Sequence, residues 1–175
     1  MGKVKIVLVG LPGSGKSTFG SKLALQLEVP FYDLDELIVL QEGKSIPEIF
    51  QEKGEGYFRQ AETRALEEKL KSDDAMVLAT GGGAPCFNDN MERINRRAIS
   101  VFMDVPLPQI IGRMTVGEVA LRPLFQGLDT GEIAAKLTSL YADRLVYYDQ
   151  AKIKLSGDDI STELLISELL TFFRS

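Results

Sequence analysis

The stretch GLPGSGKS, residues 10–17, decides the fold. It satisfies the spacing G-x-x-x-x-G-K-[ST] at Gly10, Gly15, Lys16 and Ser17. Glycines placed this way let successive backbone N–H groups turn inward around a phosphate, and the N-terminus of the following helix adds positive potential. Lys16 is long enough to reach β- and γ-phosphate oxygens, and Ser17 offers a hydroxyl to Mg²⁺. The alternative is a flexible turn with a solvated lysine, and the flanks decide between the two. KIVLV before it is a β-branched run, and after it Phe19, Leu23 and Leu27 recur at helical spacing. Strand, loop and helix follow in the order a phosphate cradle needs.

Working outward, FYDLDEL (residues 31–37) reads as a short strand leading into a helix, another helix opens at Pro47, and residues 54–71 carry a longer one. MVLAT (76–80) is a buried strand running straight into Gly81, Gly82 and Gly83. A helix over 88–97, the strand SVFMDV (100–105) and a helix from Pro106 or Pro108 to about Met114 come next. Residues 115–129 show no sustained period and are predicted to be a mobile loop. A helix over 130–150, a strand over 152–155 and an amphipathic helix over 162–173 close the chain. Five strands separated by helices predict an α/β fold, a parallel sheet flanked by helices on both faces, in one domain spanning residues 1–175.

A length of 175 residues with 45% hydrophobic and 26% charged content fits that single domain. The net charge of −5 argues against a nucleic-acid binder, so an anionic ligand must be met by local positive charge. The one cysteine, Cys86, excludes an internal disulfide and reads as a small buried hydrophobe. With no histidine to activate a thiol or hydroxyl, general-base work falls to Asp or Glu. The opening MGKVKIVLVG lacks a cleavage site and reads as a first strand, Ile6 stands where myristoylation requires Ser or Thr, and no stretch reaches transmembrane length. A cytoplasmic protein is expected.

The remaining motifs bear on where a phosphate would go. Asp33 and Asp35 lie at the end of the second strand, at the edge where ligands gather in open parallel sheets. They can divide labour between a metal's water shell and a substrate hydroxyl, or cap the helix that follows. Gly81, Gly82 and Gly83 either admit a ligand close to bare backbone or form a hairpin. Arg59 is within reach of Glu62 or Thr63 on its own helix, and Arg144 could lie on a solvated face. Taken together and in order, GLPGSGKS, FYDLDEL, YFRQAE, ATGGGAP, RPLF and YADRLVYYDQA make the sequence resemble the shikimate kinase family across nearly the whole chain.

That resemblance implies a P-loop NTPase of nucleoside-monophosphate-kinase-like fold that uses ATP and Mg²⁺ to phosphorylate the 3-hydroxyl of shikimate, in aromatic amino acid biosynthesis. It implies ATP contacts from Gly13, Ser14, Gly15, Lys16, Ser17 and Thr18, with Lys16 stabilising the transferring phosphoryl group. Ser17 and Asp33 would hold Mg²⁺. Asp35 would bind the acceptor hydroxyls, as base or as positioning group, within a substrate-binding helical region of about residues 34–60. Arg59 and Arg144 would clamp the carboxylate, with backbone contacts from Gly81, Gly82 and Gly83. Arg122 would close over the ATP phosphates from a lid at about residues 115–129. A monomer acting on a small molecule, with no nucleic acid or membrane partner, is expected.

Two features depart from the family pattern. Phe125 stands where the lid motif Arg-Pro-Leu-Leu has its last leucine, and Arg113 is the only basic candidate nearby to pack on adenine. Phe50 and Phe58 either face the substrate ring or fill helix core. A kinase for gluconate or another small polyol shares the P-loop and the aspartates, but not the combination of Arg59, Arg144 and three glycines. A nucleotide-dependent binding module without turnover would want a basic surface, a partner tail or a guanine-reading Asn-Lys-x-Asp, and none is present.

Overall fold

The computed structural model describes residues 4–114 and 123–174. Arg122 and most of the expected lid lie outside the described residues. The element order is β1 (Lys5–Val9), α1 (Lys16–Leu27), β2 (Phe31–Asp33), α2 (Leu34–Glu42), α3 (Ile46–Lys71), β3 (Met76–Ala79), α4 (Asn90–Arg97), β4 (Ile99–Asp104), α5 (Leu107–Arg113), α6 (Thr130–Tyr148), β5 (Ile153–Ser156) and α7 (Thr162–Phe172). The strands pair in the order β2-β3-β1-β4-β5, every pair parallel. Because the strands run one way, the segments after β1, β2 and β3 leave from one edge.

Alternation along β1 explains the two-faced core. Ile6 and Leu8 pack with Leu23, Ala24, Leu165 and Leu169 of α1 and α7. Val7 and Val9 face the other way, onto Leu66, Ile94, Leu137 and Tyr148 of α3, α4 and α6. Strands buried on both faces read as continuous apolar runs, as MVLA does. Phe125 is fully buried in the second cluster, so the departure from leucine fills core.

Element ends differ from expectation for local reasons. α3 holds the two helices expected after Pro47 and from Gly54, which meet at a kink at Gly54, where φ of 78° and ψ of 173° break the helix. Its start is fixed by a reciprocal capping box between Ser45 and Glu48. The helix expected from Asn88 begins at Asn90, because Asn88 and Asp89 take positive φ. Residues 81–83 turn directly into a short 3₁₀ helix, Ala84–Cys86, instead of forming a hairpin. Among the described residues no helix is long and apolar enough to cross a membrane.

Candidate active site

The phosphate cradle forms within one continuous stretch. Gly13 and Gly15 have φ of 79° and 86°, backbone that a side chain would strain, and α1 starts immediately after. Lys16 folds back over the loop, its Nζ donating to the carbonyls of Gly10 at 2.9 Å and Leu11 at 2.7 Å and to Ser14 Oγ at 3.2 Å. Three oxygens of the loop thus hold the ammonium over the cradle. Ser17 Oγ donates to Asp33 Oδ2 at 2.5 Å, while Asp33 Oδ1 accepts the Asp35 backbone N–H at 2.9 Å. Asp33 therefore caps α2 with one oxygen and faces the P-loop with the other.

A cavity of about 450 Å³ extends from this loop, lined by Gly13, Gly15, Thr18 and, from beyond the loop, Gln109, Arg113 and Asp158. Arg113 reaches back to donate to the Ser14 carbonyl at 3.4 Å, and Gln109 donates to Asp158 at 2.8 Å across the rim. Arg113 thus lines the cavity that opens from the phosphate loop.

A second cavity, of about 350 Å³, is lined by Asp35, Phe50, Phe58, Arg59, Glu62, the three glycines and two residues not anticipated, Leu124 and Lys136. Its wall is assembled from α2, α3, the turn after β3, the 3₁₀ turn Pro123–Phe125 and α6. The glycines are required by close approach. A Cβ on Gly81 would sit 3.1 Å from Asp35 Oδ1, one on Gly82 would sit 2.5 Å from Pro12 Cδ, and one on Gly83 would sit 2.8 Å from the Arg59 guanidinium. The turn is thus wedged between the phosphate loop and the second cavity. Phe50 and Phe58 stack at 4.6 Å between centroids and line the cavity, although Phe58 is also core.

Arg59 does pair on its own helix, donating to Glu62 at 2.8 Å, and Thr63 donates to its backbone carbonyl at 2.9 Å. It is no surface pair: Glu62 is 1% exposed, and the guanidinium stacks over the Phe87 ring at 4.1 Å. Burial pushes the Glu62 carboxyl up to about 7, with Arg59 and Arg144 pulling it down and Asp35 pushing it further up. Arg144 is buried too, which removes the solvated-face alternative, and its Nη1 is a buried donor without a hydrogen-bond partner among the described residues. It lies in the field of Glu62, Cys86 and Tyr148, close behind Glu62 of the cavity wall. Cys86 is only half-buried, and burial still raises its thiol to about 11, which keeps it a thiol at neutral pH.

The shikimate kinase family model matches residues 12–174. The chain belongs to the shikimate kinase family. A shikimate kinase of Clostridium botulinum is 40% identical over 160 residues, 91% of each chain, and one of Bacteroides fragilis is 38% identical over 157 residues, 90% of this chain and 87% of that one. Among solved structures, a shikimate kinase from Bacteroides thetaiotaomicron superposes with a TM-score of 0.86 at 34% identity, covering 98% of this chain and 99% of that chain. One from Acinetobacter baumannii in complex with shikimate gives 0.84 at 33% identity, covering 97% and 92%. The fold is the nucleoside-monophosphate-kinase-like P-loop architecture of shikimate kinases.

Against the shikimate kinase pattern, the structure groups Asp35, Arg59 and Gly81–Gly83 in one cavity and Gly13, Ser14, Gly15 and Thr18 on the other, with Lys16, Ser17 and Asp33 beside the phosphate loop. Glu62 was legible only as the neighbour of Arg59 three residues on. Lys136 carried no signal, because nothing in its spacing shows that α6 turns it toward α2 and α3.

Proposed function

We propose that this protein is a shikimate kinase, moving the γ-phosphoryl group of ATP to the 3-hydroxyl of shikimate and releasing shikimate 3-phosphate and ADP, a step of aromatic amino acid biosynthesis. The observation that carries the assignment of sites is the glycine turn at 81–83, shared by a phosphate loop on one side and a cavity with Asp35 and Arg59 on the other.

The acceptor carboxylate goes to Arg59 and Arg144, since guanidinium offers paired donors that a planar anion matches. Arg144 Nη1, buried without a partner among the described residues, gains the acceptor it lacks. Glu62 holds Arg59 in place and offsets part of the local positive charge. Asp35 accepts from the reacting hydroxyl, orienting its oxygen toward the γ-phosphorus. As the new O–P bond forms, the bond to the β,γ-bridging oxygen breaks and the hydroxyl proton passes to Asp35. Lys16 exchanges loop carbonyls for phosphate oxygens and stabilises the charge that develops there, because this chemistry is governed by positioning and electrostatics.

Ser17 Oγ and Asp33 Oδ2 are adjacent hard oxygen donors, a set that suits Mg²⁺ completed by water and phosphate oxygens. Bound there, Mg²⁺ would neutralise charge on the β- and γ-oxygens. Arg122 is assigned to the lid arginine over the phosphates. The same reading takes the enzyme as a cytoplasmic monomer with a small-molecule substrate and neither nucleic acid nor membrane as partner, in keeping with its net charge of −5. The test is ADP release with ATP and Mg²⁺ in the presence of shikimate, gluconate, quinate or no acceptor. Turnover with shikimate alone is expected, and turnover with gluconate in its place would remove the acceptor assignment.

A further inference from the structure

Tyr148 ends α6 with its side chain fully buried, its ring 5.1 Å from that of Phe102. A buried phenol must place its proton, and this one donates to the Gly82 carbonyl at 2.5 Å. Gly82 is the residue whose Cα rests against Pro12 of the phosphate loop, so one residue is held at its carbonyl by α6 and at its α-carbon by the loop. One turn back on α6 is Arg144, whose charge acts on the phenol against the upward pull of burial. Farther along the turn, Asn90 Nδ2 donates to the Ala84 carbonyl at 2.9 Å, fixing the exit of the segment but not its apex.

We propose that the Tyr148 hydroxyl is a positioning group for the acceptor: by tethering Gly82 to α6 it holds the glycine turn and Arg144 in register with the phosphate loop. Without that tether the apex is free to slide along Pro12, and the cavity wall moves relative to the guanidinium one turn away. The proposal rests on the shikimate kinase reading.

Tyr148→Phe keeps the ring against Phe102 and deletes one oxygen. In steady-state kinetics the shikimate KM is expected to rise about 10-fold while the ATP KM stays within twofold. Phe102→Leu loosens the same stack and leaves the hydroxyl; it is expected to lower Tm without moving the shikimate KM. If Tyr148→Phe also lowers Tm and leaves shikimate kinetics unchanged, the hydroxyl is structural and the proposal is overturned. Should the Phe variant not fold, Tyr148→Met carries the same kinetic comparison. Wild-type turnover is measured alongside. Its absence with shikimate overturns the functional reading and the proposal with it, whereas normal turnover with an unmoved KM in the variant overturns the proposal alone.

Discussion

The two halves of the site are built in opposite ways. The phosphate cradle is eight consecutive residues whose glycines and lysine act on their own backbone, so its geometry follows from local conformation once β1 and α1 are in place. The proposed acceptor half, the second cavity, draws Asp35, Arg59, Glu62, Gly81–Gly83 and Lys136 from four separate segments, so its geometry depends on the packing of the second core. The cradle meets charge with backbone N–H groups and one lysine. The acceptor half meets it with buried, partly compensated ions, where a missing partner costs more. Substitutions in the first half should therefore act on chemistry with the fold intact, and substitutions in the second should act on acceptor binding and stability together.

The largest effect is expected for Lys16→Met. Its ammonium is held by the Gly10 and Leu11 carbonyls and Ser14 Oγ of the loop itself, so kcat should fall by roughly a thousandfold or more with Tm little changed. A kcat within tenfold of wild type would take Lys16 out of the transfer step. Next comes Asp35→Asn, expected to lower kcat by about 10²- to 10⁴-fold with the chain folded, since Asp33 rather than Asp35 supplies the α2 cap. Near-normal turnover would leave Asp35 no part in orienting the hydroxyl.

Glu62→Gln sharpens the contrast through pH. The folded-state carboxyl sits near 7, above its ordinary 4.5, so the folded chain keeps a proton that the unfolded chain has lost. The stability from this group is whole below about 4.5 and is lost as pH rises to about 7, on the order of 3 kcal/mol across the window. The Gln variant should show a flatter Tm profile from pH 4.5 to 7 and a several-fold higher shikimate KM. An unaltered slope would mean that Glu62 is ionised throughout. The smallest effect is expected for Lys136→Met. This half-buried cation makes no ion pair among the described residues, and a rise of about two- to threefold in the shikimate KM, fading with added salt, is the expected result. No change at low salt would make it a bystander on the wall.

The same contrast explains what the sequence disclosed. The cradle was legible because its spacing is its geometry. The capping reading of Asp33 did not exclude a place beside the phosphate loop, because each oxygen of the one carboxylate faces a different partner. The break at Gly54 was legible as two helical stretches, and the backbone leaves helical geometry at that residue. Arg59 and Arg144 taken alone read as ordinary surface arginines, since burial is set by tertiary packing and only the family resemblance singled them out. Lys136 and Tyr148 reach the acceptor side from α6 across the sheet's second core, a juxtaposition that no short spacing encodes.

The most direct test of a separately assembled acceptor half is calorimetric titration of Arg144→Met and wild type with shikimate and, independently, with ADP and Mg²⁺. Loss of the buried clamp should weaken shikimate by about 2 kcal/mol, roughly 30-fold, and leave the ADP affinity within twofold. Equal shikimate affinity in the two proteins would contradict the account, because the buried guanidinium, whose Nη1 has no hydrogen-bond partner among the described residues, would then have no part in holding the acceptor.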